Sequence, residues 1–193
     1  QEPAAETVLR EVAEAAGAPL YPATEVIGVT PPARLRVPPA GEALPRPCQQ
    51  VTLRMSRGTL TADLPLPGAH QAGNLAVALG VVELLREDGY TITDEHIRTG
   101  VAGTHWPGRL QIVQARPWVI LDAAHNGAAA QALAGALPGM VEYERLITVL
   151  GLSAEKDAVR FCAALAPLVD VALMTQARLS RALPAKDLQR LTL

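Results

Sequence analysis

Trp106-Pro107-Gly108-Arg109-Leu110-Gln111, followed a short way on by Ile120-Leu121-Asp122-Ala123-Ala124-His125-Asn126, decides how this chain is read. The apolar run Trp118-Val119-Ile120-Leu121 has the composition of a strand covered on both faces. The Ala- and Leu-rich run 128–137 reads as a helix, with Pro138-Gly139 as its stop. Asp122 and His125 therefore fall where a strand ends and a helix begins, the edge at which open α/β sheets bind ligands. The first turn of such a helix offers unpaired N–H groups and the positive end of its dipole to phosphate or carboxylate. The bare pattern fits equally well an Asp122 that caps a turn and a His125 that faces solvent.

Beyond this segment, apolar runs at 110–115, 118–121, 146–150 and 171–175 alternate with helical patterns at 128–137, 156–168 and 184–191. Alternation of this kind predicts a parallel sheet with right-handed crossovers. Ser153 stands ahead of the second helix as its expected cap. The stretch 104–108 follows a completed helix and holds a Pro-Gly pair, so it is the expected boundary between domains 1–104 and 105–193.

Toward the N-terminus, 4–16 reads as a helix with Ala5, Val8, Leu9, Val12, Ala13 and Ala16 on one face and Gly17 as its stop. Residues 18–21 look extended, and 30–47 are too rich in proline for interior strands or helices. The alternating runs 49–55 and 59–64 around Ser56-Arg57-Gly58 predict a β-hairpin. In the following helix, 71–87, apolar residues nearly encircle the axis, which predicts burial on most sides. Thr93 caps a short helix to about 101, with His96 at its third position and Glu95 near its positive end.

Composition narrows the class. In 193 residues, 49% are hydrophobic and 19% charged, enough for a packed core without disulfides or metals. The formal net charge is −2 with no basic block, which argues against nucleic acid as the main partner. Cys48 and Cys162 have neither zinc-ligand spacing nor a disulfide framework. No apolar run reaches membrane-spanning length, and Gln1-Glu2-Pro3 opens no secretory leader, so a cytoplasmic location is expected.

Three blocks together carry a family resemblance. Arg109, Asp122, His125 and Asn126 form one; Gly68-Ala69-His70-Gln71-Ala72-Gly73-Asn74 and Gly151-Leu152-Ser153-Ala154-Glu155-Lys156-Asp157 are the others. In order and separation they resemble the folylpolyglutamate synthase / dihydrofolate synthase family of the Mur-ligase superfamily, over nearly the whole chain and most faintly between Gly28 and Pro47. The resemblance implies an α/β chain: a Rossmann-like parallel-sheet C-terminal domain preceded by the end of a central ATPase-type domain. It implies ATP-dependent ligation of L-glutamate to dihydropteroate or folate through an acyl phosphate, with ATP as substrate and Mg2+ as cofactor. A monomer working on small molecules is expected. Competing readings are a muramyl-peptide or other Mur-superfamily amide ligase, and a non-catalytic binding module.

The family's phosphate loop has no counterpart here, since the chain contains no Gly-Lys pair. The magnesium ligands belong to the same stretch, so no metal site is expected in these residues, and the chain alone is expected to be inactive. What remains is a set of roles implied by the resemblance. Arg109 would grip nucleotide phosphate through its planar fork of donors. Asp122 would act at the nucleotide or hold Arg109 and His125 in place, and His125 would donate to developing phosphate charge. Asn74 would read the adenine edge. Lys156 would attract a carboxylate or phosphate. Asn126 reads as a helix cap, and His70 and Gln71 as capping and packing residues.

Overall fold

The computed structural model describes residues 3–192; the expectations read from Gln1, Glu2 and Leu193 lie outside them. The first half runs α1 (Pro3–Ala15), β1 (Glu25–Thr30), β2 (Gln49–Met55), β3 (Gly58–Leu64), α2 (Ala69–Glu87) and α3 (Asp94–Ala102). The second runs β4 (Gln111–Ala115), β5 (Trp118–Leu121), α4 (Gly127–Met140), β6 (Ile147–Leu150), α5 (Ala158–Leu165), β7 (Val171–Met174) and α6 (Ala185–Thr192).

In the first half the expected hairpin forms, with Met55 opposite Gly58 at its turn, and β1 adds a third antiparallel strand beside β2. The strand β1 was not legible: residues 18–21, read as extended, precede it without joining a sheet, and a register shift between Val26 and Gly28 breaks its alternation. Strand β2 points Val51, Leu53 and Met55 inward, alternating with exposed residues as the two-residue period requires. They pack with Leu60, Ala62 and Leu64 of β3 against Leu75, Ala76 and Leu79 of α2 and Ile97 and Val101 of α3. Helix α2 is buried on this face alone; Val77 and Val81 stay 59% and 54% exposed, so the expected all-round burial is not found. Thr93 and His96 form a reciprocal capping box at the start of α3, with the Thr93 Oγ1 accepting from the His96 amide at 3.1 Å.

The second half is α/β, with one parallel and one antiparallel pairing. Strands β6 and β7 are parallel, and α5 is their crossover. Strands β4 and β5 instead form an antiparallel hairpin across Arg116-Pro117. Two connecting residues cannot span a parallel crossover, which needs a dozen or more. Strand β5 is half-exposed: Val119 and Leu121 face outward, together with Ile147, Val149 and Leu173 of β6 and β7. Helices α4, α5 and α6 bury Ala130, Phe161, Leu165 and Leu188 between them. A second cluster joins Leu110 and Ile112 to Leu137, Met140 and Val141.

Two helix ends differ from their sequence reading. Pro138 lies inside α4, which continues to Met140. A proline in the last turn costs little, because only one intrahelical bond is lost near the fraying end. Asp157, not Ser153, caps α5, its Oδ1 accepting from the Arg160 amide at 2.9 Å. The helix therefore begins two residues later than expected. Among the described residues no helix is long and apolar enough to cross a membrane.

Candidate functional site

Asp122 follows the last residue of β5, and its carboxylate is spent on backbone. Oδ2 accepts from the Leu110 amide at 2.9 Å, and Oδ1 accepts from the Ala124 amide at 2.8 Å. Between them the Ala123 amide donates to the Gly108 carbonyl at 2.8 Å. These three bonds lace the segment entering β4 to the segment leaving β5. The lacing holds an unusual backbone. Gly108 has φ +73°, and Leu110 has φ +45°, a left-handed conformation that costs a non-glycine residue about 1–2 kcal/mol. The Leu110 side chain is 2% exposed, so packing pins it from below while Asp122 holds its amide from above.

Arg109 stands between these two anchored residues. It is half-buried and makes no hydrogen bond or ion pair among the described residues. It borders a cavity of about 190 Å3 whose wall includes Arg46, Leu66, His105 and Trp106. A guanidinium whose backbone is fixed and whose donors are free is a ready anion grip.

His125 and Asn126 lead into α4. The Asn126 Oδ1 accepts from the Ala129 amide at 2.8 Å, the capping role read from the sequence. The exposed His125 places Nδ1 at 3.0 Å from the Ala123 carbonyl. A carbonyl can only accept, so Nδ1 carries the proton and Nε2 is the nitrogen left for a ligand. Gly127 lets α4 start close to α5: a Cβ there would sit 3.2 Å from the Arg160 Cβ.

The first half supplies the facing wall. Gln49, 1% exposed, donates Nε2 to the carbonyls of Leu66 at 2.7 Å and Gly68 at 2.9 Å, fixing the loop before α2. Gly68 has φ +104°, and a Cβ on it would meet the His70 ring at 2.7 Å and the Ala136 methyl of α4 at 3.4 Å. The glycine thus seats His70 where the two halves touch. Burial pushes the His70 imidazole below its usual range; Asp122 opposes this, and Arg109 lowers it further. His70 is therefore the imidazole that senses both site charges, a role the sequence reading gave to packing. The signal was present in Gly68, two residues before it, at a position requiring a left-handed backbone.

Asn74 is exposed one turn along α2 and donates Nδ2 to the Gln71 Oε1 at 3.0 Å, which fixes its amide plane. Lys156 is half-buried on the loop after β6, its amide bonded to the Ser153 carbonyl at 3.1 Å, and its side chain meets none of the other candidates. Among the described residues no group of three His, Cys, Asp or Glu side chains could hold a metal ion.

The family description "Mur ligase, glutamate ligase domain" matches residues 108–192. The matched span opens at Gly108, the residue whose carbonyl receives the Ala123 amide. The chain as a whole matches the C-terminal portion of the folylpolyglutamate and dihydrofolate synthases. It is 38% identical over 127 residues to a dihydrofolate synthase/folylpolyglutamate synthase of Mycobacterium tuberculosis, covering 65% of this chain and 26% of that protein. It is 39% identical over 115 residues to the Escherichia coli protein of the same description, covering 60% and 26%. A solved Mycobacterium tuberculosis folylpolyglutamate synthase complexed with ADP superposes with a TM-score of 0.80 at 28% identity, over 100% of this chain and 40% of that one. The chain therefore spans about a quarter of the curated relatives it matches, and two fifths of that solved chain.

Proposed function

We propose that this chain carries the adenine-side and C-terminal parts of an ATP-dependent ligase that joins L-glutamate to dihydropteroate or folate. In that reading residues 1–104 are the end of a central ATP-binding domain, and 105–193 are the ligase domain whose matched span starts at Gly108. The observation that carries the proposal is the fixed backbone around an unengaged Arg109, close enough to His70 of α2 for its charge to be felt there.

The reaction proceeds in two steps. A carboxylate oxygen of the pterin substrate attacks the γ-phosphorus, the bond to the bridging oxygen breaks, and ADP leaves. The glutamate amine then attacks the acyl carbon and phosphate departs. Little covalent work falls to the protein; positioning and charge stabilisation dominate phosphoryl transfer. Arg109 contributes paired donors to phosphate oxygens. His125 offers Nε2 at the start of α4, where the helix dipole already favours negative charge. Asn74 presents both an acceptor and a donor to the adenine edge. Asp122 acts chiefly by keeping Arg109 in place. Lys156 is the outlying cation, available to a substrate carboxylate. ATP is the phosphoryl donor. Magnesium would neutralise its phosphates, but these residues hold no cluster fit for the ion, and no step is assigned to it. A cytoplasmic monomer acting on small molecules completes the proposal.

Titration calorimetry with ADP tests it. The chain should bind ADP weakly, and Arg109→Ala should weaken binding at least tenfold without lowering the melting temperature. The longest natural protein carrying this chain should release ADP from ATP only when dihydropteroate or folate and glutamate are both present. Equal ADP affinity in the two chains, or turnover that does not require glutamate, defeats the proposal.

A further inference from the structure

We propose that residues 31–47 are a strap that fixes the angle between the two halves of the molecule. Strands β1 and β2 are antiparallel neighbours, yet the chain takes eighteen residues, 31–48, to pass between them. A hairpin needs two to five, and irregular loops beyond about 12–15 residues usually serve a purpose. Six of those eighteen are proline, so the segment is stiff and has few donors with which to hold itself.

Its anchors lie in the other half. The Leu35 amide donates to the Met140 carbonyl at 2.8 Å, and Leu35 forms a parallel bridge with Val141. Arg34 Nη2 donates to the Pro138 carbonyl at 2.6 Å, and Arg116 Nη2 donates back to the Pro38 carbonyl at 2.5 Å. At the far end Arg46 Nη2 reaches the Thr104 carbonyl at 3.5 Å, on the segment that joins the halves. The Leu35 side chain packs on the cluster that holds Leu110, Leu137 and Met140. A loop of the first half is thereby part of the core on which the Arg109 segment rests.

Elsewhere the halves are joined by the chain itself at 103–108, and by α2 resting against α4. A chain crossing and one helix contact leave the angle between the halves weakly held. The strap adds anchors at the end of α4 and at the β4–β5 turn, and these hold the angle. Arg109 then faces α2 at one fixed position.

The test is a distance measurement. Spin labels are placed at Arg57→Cys and Glu155→Cys, both exposed and one in each half, in a Cys48→Ser, Cys162→Ala background. The parent should give one narrow distance distribution. Arg34→Ala with Arg116→Ala should broaden it, and Arg34→Lys with Arg116→Lys should restore it, because a lysine can still reach a carbonyl. Both arginines are exposed, so folding should survive; unchanged helix content by circular dichroism confirms this. A distribution as narrow in the alanine pair as in the parent overturns the strap. ADP affinity, read in parallel, rests on the proposed nucleotide role and should fall about fivefold in the alanine pair. A broadened distribution with unchanged ADP affinity upholds the strap and counts against that role.

Discussion

Replacing Asp122 with alanine should cost about 2 kcal/mol and loosen the segment that carries Arg109. The Leu110 amide lies on a residue 2% exposed and would lose its carboxylate acceptor. Stranding a buried donor costs roughly 1–3 kcal/mol. The Ala124 amide lies nearer the surface, where water recovers most of its bond, and adds about 0.5 kcal/mol. For a chain of this size, about 2 kcal/mol lowers the melting temperature by roughly 4–8 °C. Leu110 also stores left-handed strain that the Asp122 carboxylate helps to hold, so the segment should loosen once Asp122 is gone. Amide exchange followed by NMR reads this directly: the Leu110 amide should exchange about thirtyfold faster, the factor equivalent to 2 kcal/mol. Asp122→Asn keeps one acceptor oxygen and should fall between parent and alanine variant. A melting temperature within a degree of the parent, with Leu110 exchange unaltered, would refute the lacing of the two segments by this carboxylate.

Other expectations follow from single groups. His70 should titrate below the usual imidazole range by NMR, lower still in Asp122→Asn and higher in Arg109→Ala; the reverse order would mean it does not sense those charges. Because its folded value is depressed, its contribution to stability is present above the unfolded value and is lost as pH falls through the folded one. Thr93→Ala removes the Oγ1 half of the capping box on α3, leaving the Thr93 amide on the His96 ring, and should cost about 1 kcal/mol in urea unfolding, with Ser restoring most of it. Burial pushes the Cys162 thiol up, so the pH midpoint of its alkylation by iodoacetamide should lie above that of the denatured chain.

The sequence was legible where short-range rules apply. The hairpin of β2 and β3, the Thr93 box and the Asn126 cap all depend on residues within a few positions of one another. The α5 cap was misplaced by four positions because Ser153 and Asp157 are both good acceptors, and only the path of the loop decides between them. The β4–β5 pairing was misread because apolar composition predicts burial but not partner direction; the two-residue spacing held the answer. Helix α2 shows the same limit. Its apolar residues demand burial on several sides, while the described residues cover one, so Val77 and Val81 meet solvent. His70 was read as a capping and packing residue, and Gln49 was not singled out, because their roles depend on contacts across the chain: Gln49 holds the Gly68 carbonyl from nineteen positions away.

The motif around Arg109 looks, letter by letter, like a list of reacting groups, yet most of it is scaffold. Gly108 supplies a positive φ, Leu110 a buried anchor, Asp122 two acceptors, Asn126 a cap, and Gly127 a close approach to α5. Only Arg109 and His125 leave a functional group unspent. In this division Gly127 is chosen for size, since a Cβ there would crowd Arg160 of α5. It also separates two kinds of loss. Removing Arg109 should erase ligand affinity from an intact fold, whereas removing Asp122 should weaken the fold first and affinity through it. A variant series in which both substitutions lower stability equally would mean that the guanidinium, too, is part of the scaffold, and that the anion grip lies elsewhere.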